Sequence, residues 1–197
     1  MTHDQCDQCE QCAQPIAAYD AIHYGAAGGG YRLLCTQCFN AEVAKRYGLT
    51  GFENVRLEPI RMVDCAGDAH QFHFQMRLAG GNMLVLDAFE IQGELRAGYE
   101  FRMIGNPDDD VLTLLGRLVQ KMRRALSVKD LAADGHQLRI SDQTVRGRIS
   151  SDMTGPGDTP VVVVDGREIS WDDFGRMLTA FEGWQFRLQI IDMADEP

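Results

Sequence analysis

Two cysteine pairs carry the most specific chemical signal in this chain, Cys9-Glu10-Gln11-Cys12 and, roughly twenty residues later, Cys35-Thr36-Gln37-Cys38. Two residues between partners let a tight turn aim both sulfurs at one ion from the same side. Two such pairs make the four-thiolate set of a tetrahedral structural zinc site, so Cys9, Cys12, Cys35 and Cys38 are the predicted ligands of one Zn2+. Four protein ligands fill the tetrahedron and leave no position for a catalytic water. A redox centre would need a single Cys-x-x-Cys in a thioredoxin-like strand-then-helix context, and here there are two pairs. Cys6 precedes Cys9 at the same spacing and offers an alternative first pair. Cys9 with Cys12 is preferred, because Cys12-Ala13-Gln14-Pro15-Ile16 reads as a knuckle running into a strand, whereas Cys6 sits in a polar leader.

The other candidate residues have blander explanations. His70 and His73 are three apart in a strand-like stretch, which turns their side chains to opposite faces and away from a shared metal. Asp108, Asp109 and Asp110 follow Asn106-Pro107 at a helix start, where carboxylates favour the positive end of the helix dipole. Asp172 and Asp173 occupy the same kind of position. Gly25 to Gly30 lacks the Lys-Ser/Thr ending of a phosphate loop and reads as a hairpin connection. Cys65 packs as a small apolar group near a turn. Arg117, Lys121, Arg123, Arg124 and Lys129, with Arg139, Arg146 and Arg148 downstream, interleave with an apolar stripe and read as a solvated face before a nucleic-acid patch. No catalytic residue is assigned.

Several elements must position the cysteines. Tyr19 to Tyr24 and Tyr31 to Leu34 are predicted to pair as a hairpin, and Cys35 and Cys38 to open a helix over Phe39 to Tyr47 that Gly48 closes. A knuckle, a hairpin and a helix whose first turn brings the second ligand pair resemble the treble-clef zinc fingers over about a quarter of the chain. Residues 1–52 are thus expected to form the zinc module and residues 53–197 an α+β domain.

Within that domain, Val55 to Val63, His70 to Leu78, Met83 to Ile91 and Tyr99 to Ile104 read as an antiparallel meander. Its His70 to Leu78 strand places Phe72, Phe74, Met76 and Leu78 on one face. A helix is predicted over about 108–126, with Asn106 as cap and Leu114, Leu115, Leu118, Met122, Ala125 and Leu126 as its apolar stripe. Two short segments flank Asp142-Gln143, and a loop spans Ser151 to Thr159. Val161 to Val164 turns through Asp165-Gly166 into Arg167 to Ile169. A helix capped by Ser170 with Asp173 follows, lined by Phe174, Met177, Leu178 and Phe181. Trp184, Phe186, Leu188 and Ile190 alternate with Gln185, Arg187 and Gln189 as a final strand.

Val161 to Val164, Asp165-Gly166, Ser170-Trp171-Asp172-Asp173-Phe174 and Glu182-Gly183-Trp184-Gln185-Phe186 together resemble a block in uncharacterised bacterial proteins. Those proteins carry an N-terminal zinc finger and belong to families of unknown function. The resemblance implies the two-part architecture and brings no activity with it.

The 197 residues carry a formal charge of −10, before counting metal-bound thiolates, with sixteen arginines against three lysines. That balance opposes general attraction to phosphate backbones and disfavours nucleic acid as partner. No apolar run approaches the roughly 18 residues of a membrane span, and Met1 to Gln8 lacks the apolar segment of a secretory signal. A cytoplasmic protein without a membrane partner is expected. The leading functional expectation is a zinc-stabilised, non-enzymatic interaction or adaptor protein with a protein partner. The alternatives are a nucleic-acid-binding or regulatory zinc finger, and an enzyme with its site in residues 53–197.

Overall fold

The computed structural model describes residues 7–25, 29–135, 137–151 and 159–195. Cys6, the tip of the Gly25 to Gly30 loop and most of the Ser151 to Thr159 loop lie outside the described residues. The class is α+β, with three α-helices and four antiparallel sheets among the described residues.

The hairpin between the two cysteine pairs is β1 (Ala21–Tyr24) with β2 (Arg32–Cys35), followed by α1 (Thr36–Tyr47). The main sheet is the meander β3 (Ile60–Val63), β4 (Ala69–Ala79), β5 (Met83–Gln92) and β6 (Leu95–Gly105), ordered as in sequence. Alternation puts Phe72, Met76 and Leu78 of β4, Leu84, Leu86 and Ala88 of β5, and Phe101 and Met103 of β6 in one core cluster. Val43 of α1 packs into that cluster, and α2 (Val111–Leu126) lays Leu114, Leu118, Met122 and Leu126 into it. Each fully buried side chain of this kind contributes about 1.5–3 kcal/mol. This cluster is therefore the main source of stability in the molecule.

Three expectations are corrected here. Helix α2 starts at Val111 rather than 108, because Asp110 is the cap: its carboxylate accepts the Thr113 N–H at 2.9 Å and the Thr113 hydroxyl at 2.6 Å. Asn106 instead closes the preceding turn, with its N–H on the Asp109 carboxylate at 2.7 Å. The stretch 55–59 is not strand; only Ile60–Val63 pairs with β4, at residues 69–72. Contacts with α1 hold the chain before β3 instead, since Gln37 Nε2 donates to the Val55 carbonyl at 3.0 Å and Asn54 Nδ2 to the Gln37 carbonyl at 2.9 Å.

The third correction concerns the C-terminal part. A hairpin of β7 (Leu131–Asp134) and β8 (Gln137–Ile140) precedes a sheet ordered β11-β10-β9, with β9 (Arg148–Ser151), β10 (Pro160–Val164) and β11 (Arg167–Ser170). Asp165 and Gly166 turn the chain between β10 and β11 with φ of 52° and 74°, the two left-handed residues of a tight hairpin. Ser170 caps α3 (Trp171–Leu178) by accepting the Asp173 N–H at 3.1 Å. Phe174 and Met177 pack on Val162, Val164 and Ile169, but Leu178 is exposed. The predicted final strand does not form: residues 184–192 join no sheet, and Trp184, Phe186, Leu188 and Ile190 are exposed. Alternation satisfies the strand period, but among the described residues no strand pairs with that segment to complete a ladder.

Candidate metal centre

The first cysteine pair is aimed by its own backbone turn. Cys9 N–H donates to the Gln14 carbonyl at 2.9 Å and Ala13 N–H to the Cys9 carbonyl at 2.8 Å, with Ala13 in the left-handed region at φ 57°. Ile16 N–H on the Asp7 carbonyl at 2.7 Å closes the neck of this knuckle. The second pair is set by a change of element: Cys35 ends β2 and caps α1, and Cys38 lies in the first helical turn. Backbone N–H groups left free at a helix start favour thiolates there.

The knuckle docks on the hairpin through two main contacts. Glu10 N–H donates to the Leu33 carbonyl at 2.9 Å, and Leu33 N–H returns to the Glu10 carboxylate at 2.8 Å. The result brings the sulfurs of Cys9, Cys12, Cys35 and Cys38 within 4.8 Å of one another. Cys12 Sγ and Cys35 Sγ are 3.9 Å apart. A tetrahedron with Zn–S bonds of about 2.3 Å has sulfur–sulfur edges of about 3.8 Å, so the donor set fits one zinc ion. Cys35 N–H also points at Cys9 Sγ from 3.3 Å, the kind of support a metal-bound thiolate receives.

Without metal the four thiols are unequal. Burial raises the Cys9 thiol, but N–H groups of Cys12, Cys35 and Gln11 outweigh it and bring the pKa down to about 6. Burial pushes Cys35 up despite help from Cys38. Cys38 is raised further, by burial first and then by the neighbouring sulfurs of Cys35, Cys12 and Cys9. Crowded thiolates repel, and a divalent cation is what relieves that repulsion.

The module's own core is small, built on buried Cys9, Ile16 and Leu34. It is not detached from the sheet. Asn40 of α1 bonds to the β4 backbone, and Gln75 of β4 donates to Thr36 Oγ1 at 2.8 Å and to the Tyr19 carbonyl at 3.2 Å.

The chain is similar to three domain families of unknown function. They are DUF7685 over residues 8–50, DUF7686 over residues 53–127 and DUF7713 over residues 127–195. No curated protein and no solved structure matches the chain. All four clustered cysteines fall inside the first matched segment.

The remaining sequence candidates lie apart from this centre. His70 and His73 occupy opposite faces of β4, His70 edge-on to Tyr99 and His73 stacked on Phe89. Cys65 is exposed, and its N–H donates to the Leu126 carbonyl at 2.9 Å. The basic residues are engaged in separate places. Lys121 donates to the Met193 and Asp195 carbonyls at 2.8 Å each, and Arg148 lies 3.5 Å from the Glu100 carboxylate.

A second polar cluster was not anticipated from the sequence. Asp64 Oδ2 lies 2.5 Å from Lys129 Nζ and 3.1 Å from His70 Nε2, and His70 Nδ1 lies 2.9 Å from the Glu90 carboxylate. Asp64 Oδ1 accepts the Ala66 and Asp68 N–H groups at 2.9 Å each. The Lys129 hydrogen bond, with those from His70, Asp68 and Ala66, holds Asp64 well below the usual carboxylate range. Burial pulls Lys129 down, but Asp64 and Tyr99 outweigh it and its pKa is raised. Asp64 and Lys129 are 65 positions apart with no motif between them, so no spacing rule pairs them. Every member of this cluster is satisfied by another, which makes it a structural tie between the second and third matched segments.

Proposed function

We propose that the protein is a zinc-binding, non-enzymatic interaction protein of the cytoplasm, in which one structural zinc is held by Cys9, Cys12, Cys35 and Cys38. The observation that carries this reading is the convergence of the four sulfurs within 4.8 Å at the joint of knuckle, hairpin and helix. That order of elements supports a treble-clef-like module. Four thiolates saturate the ion, so its role is to fix the backbone rather than to activate water. The small module core makes the metal a major contributor to folding of residues 8–50.

The docking of α1 on β4 supports a role beyond local stapling. With Thr36 and Asn40 both bonded to the sheet, the zinc holds the helix that covers one part of the main core. A protein is the partner favoured by an acidic chain of net charge −10, since phosphate backbones would be repelled. The test is elemental analysis of the purified full chain, with one zinc per chain expected. Replacing both Cys35 and Cys38 by Ser should remove it. Full zinc content in that variant refutes the ligand set.

A further inference from the structure

The segment from Trp184 to Ile190 is a strand in sequence without a sheet in the fold. Its apolar side chains are exposed to an unusual degree: Trp184 62%, Phe186 92%, Leu188 72% and Ile190 72%. Yet the segment is tethered at both ends. Trp184 N–H donates to the Phe181 carbonyl at 2.9 Å and its ring meets Phe181 edge-on, while Lys121 holds the carbonyls of Met193 and Asp195. Between these two ties the segment joins no helix or sheet.

We propose that residues 184–190 are a self-association strand, whose apolar face is buried against the C-terminal part of a second copy of this chain in a closed, two-fold dimer. Three observations select a second copy as the occupant. The first is area. At roughly 150–250 Å² for each of the two aromatics and somewhat less for Leu188 and Ile190, the four side chains leave on the order of 500 Å² of apolar surface open, toward the upper end of the patches of about 300–600 Å² that on monomers are often functional. Reciprocal burial of two such faces comes to about 1,000 Å², the size at which a specific interface begins, before flanking residues are counted.

The second is charge. Within a chain of net charge −10, residues 184–191 carry only Arg187, so two copies can approach here without burying carboxylates against each other. Glu182, Asp192 and Asp195 flank the segment and repel anionic lipid or nucleic acid. The third is that other apolar side chains of residues 127–195 are open as well. Ile149 on edge strand β9 is 58% exposed, and Trp171 and Leu178 of α3 are open as well. A two-fold contact uses the same patch on both partners, so each copy brings both the strand and the surface that receives it.

Sedimentation equilibrium of the zinc-loaded full chain tests this. The expected mass at about 50 µM is twice the 22.0 kDa of the chain, as micromolar or tighter dimers of standard interface size require. Phe186→Asp with Leu188→Asp should weaken the dimer at least ~100-fold, because charge then faces the apolar contact. Gln185→Glu with Gln189→Glu places the same added charge on the opposite alternation and should leave the dimer within about threefold of the parent. Unchanged zinc content and circular dichroism check the fold, and the high exposure of Phe186 and Leu188 means that no intrachain packing is lost. A wild-type monomer at that concentration, equal effects of the two double variants, or open-ended assemblies would each overturn the proposal.

Discussion

The side-chain amide of Asn40 stands beside Leu78 as a neighbouring strand would: its Oδ1 accepts the Leu78 N–H at 2.9 Å while its Nδ2 donates to the Met76 carbonyl at 2.7 Å. Strand β3 pairs with β4 only at residues 69–72, so among the described residues the β4 edge beyond Phe72 has no strand partner on that side. One buried amide on α1 takes up two backbone groups of that edge and at the same time fixes the four-cysteine module to the sheet.

Asn40→Leu should therefore cost about 1–3 kcal/mol, because it leaves a buried N–H and carbonyl of β4 unpaired. Urea denaturation with unchanged zinc stoichiometry is the measurement. A loss below about 0.5 kcal/mol, the size of an ordinary surface change, would show that Asn40 does not carry the joint.

Zinc uptake should release protons. Cys35 and Cys38 are both raised above the ordinary thiol value and are uncharged in the metal-free protein at neutral pH, whereas ligation requires thiolates. Calorimetric titration in buffers of different ionisation enthalpy should report about two protons or more per zinc, and affinity should fall as pH is lowered. A buffer-independent enthalpy contradicts this assignment.

The tie between Asp64 and Lys129 sets an acid limit on stability. A carboxyl depressed in the fold contributes stability that is present above its ordinary value of about 4 and lost as pH falls through the lower folded value. A raised lysine contributes below its ordinary value of about 10.4 and is lost as pH rises through the folded one. These two groups therefore predict a plateau between about pH 4 and 10. Lys129→Met should lower the denaturation midpoint at pH 7 and shift the acid limb upward, since Asp64 then loses its first partner. Identical acid limbs in parent and variant would remove the pair from the account.

Two glycines should respond oppositely to alanine. Gly116 lies inside α2 with open space where a Cβ would stand, so Gly116→Ala should stabilise by about 0.5–1 kcal/mol. Gly166 turns the β10–β11 hairpin at φ 74°, and a Cβ there would meet the Tyr99 ring at 2.9 and 3.0 Å. Gly166→Ala should destabilise by about 1–2 kcal/mol through left-handed strain and that contact. Thermal melts of the two variants, moving in opposite directions, are the check.

Local rules were legible wherever one stretch of chain decides the outcome. The Cys-x-x-Cys spacings pick out the four clustered cysteines, the Phe72 to Leu78 alternation gives a face, and Asp165-Gly166 gives a hairpin turn. The start of α2 lies a few residues beyond the one the sequence predicts, because Asn106 and Asp110 are both competent caps and only the path of the chain from β6 chooses between them.

The sequence by itself thus determined the α+β class, the four clustered cysteines and the meander, since spacing and period are properties of contiguous residues. Tertiary structure alone decided the rest. The pairing of Asn40 with Leu78, the joining of Asp64 to Lys129 and the isolation of Trp184 to Ile190 depend on which distant segments meet. An amide, a carboxylate or an alternating strand declares what it can bond to, but whether a partner stands within reach is a property of the folded chain.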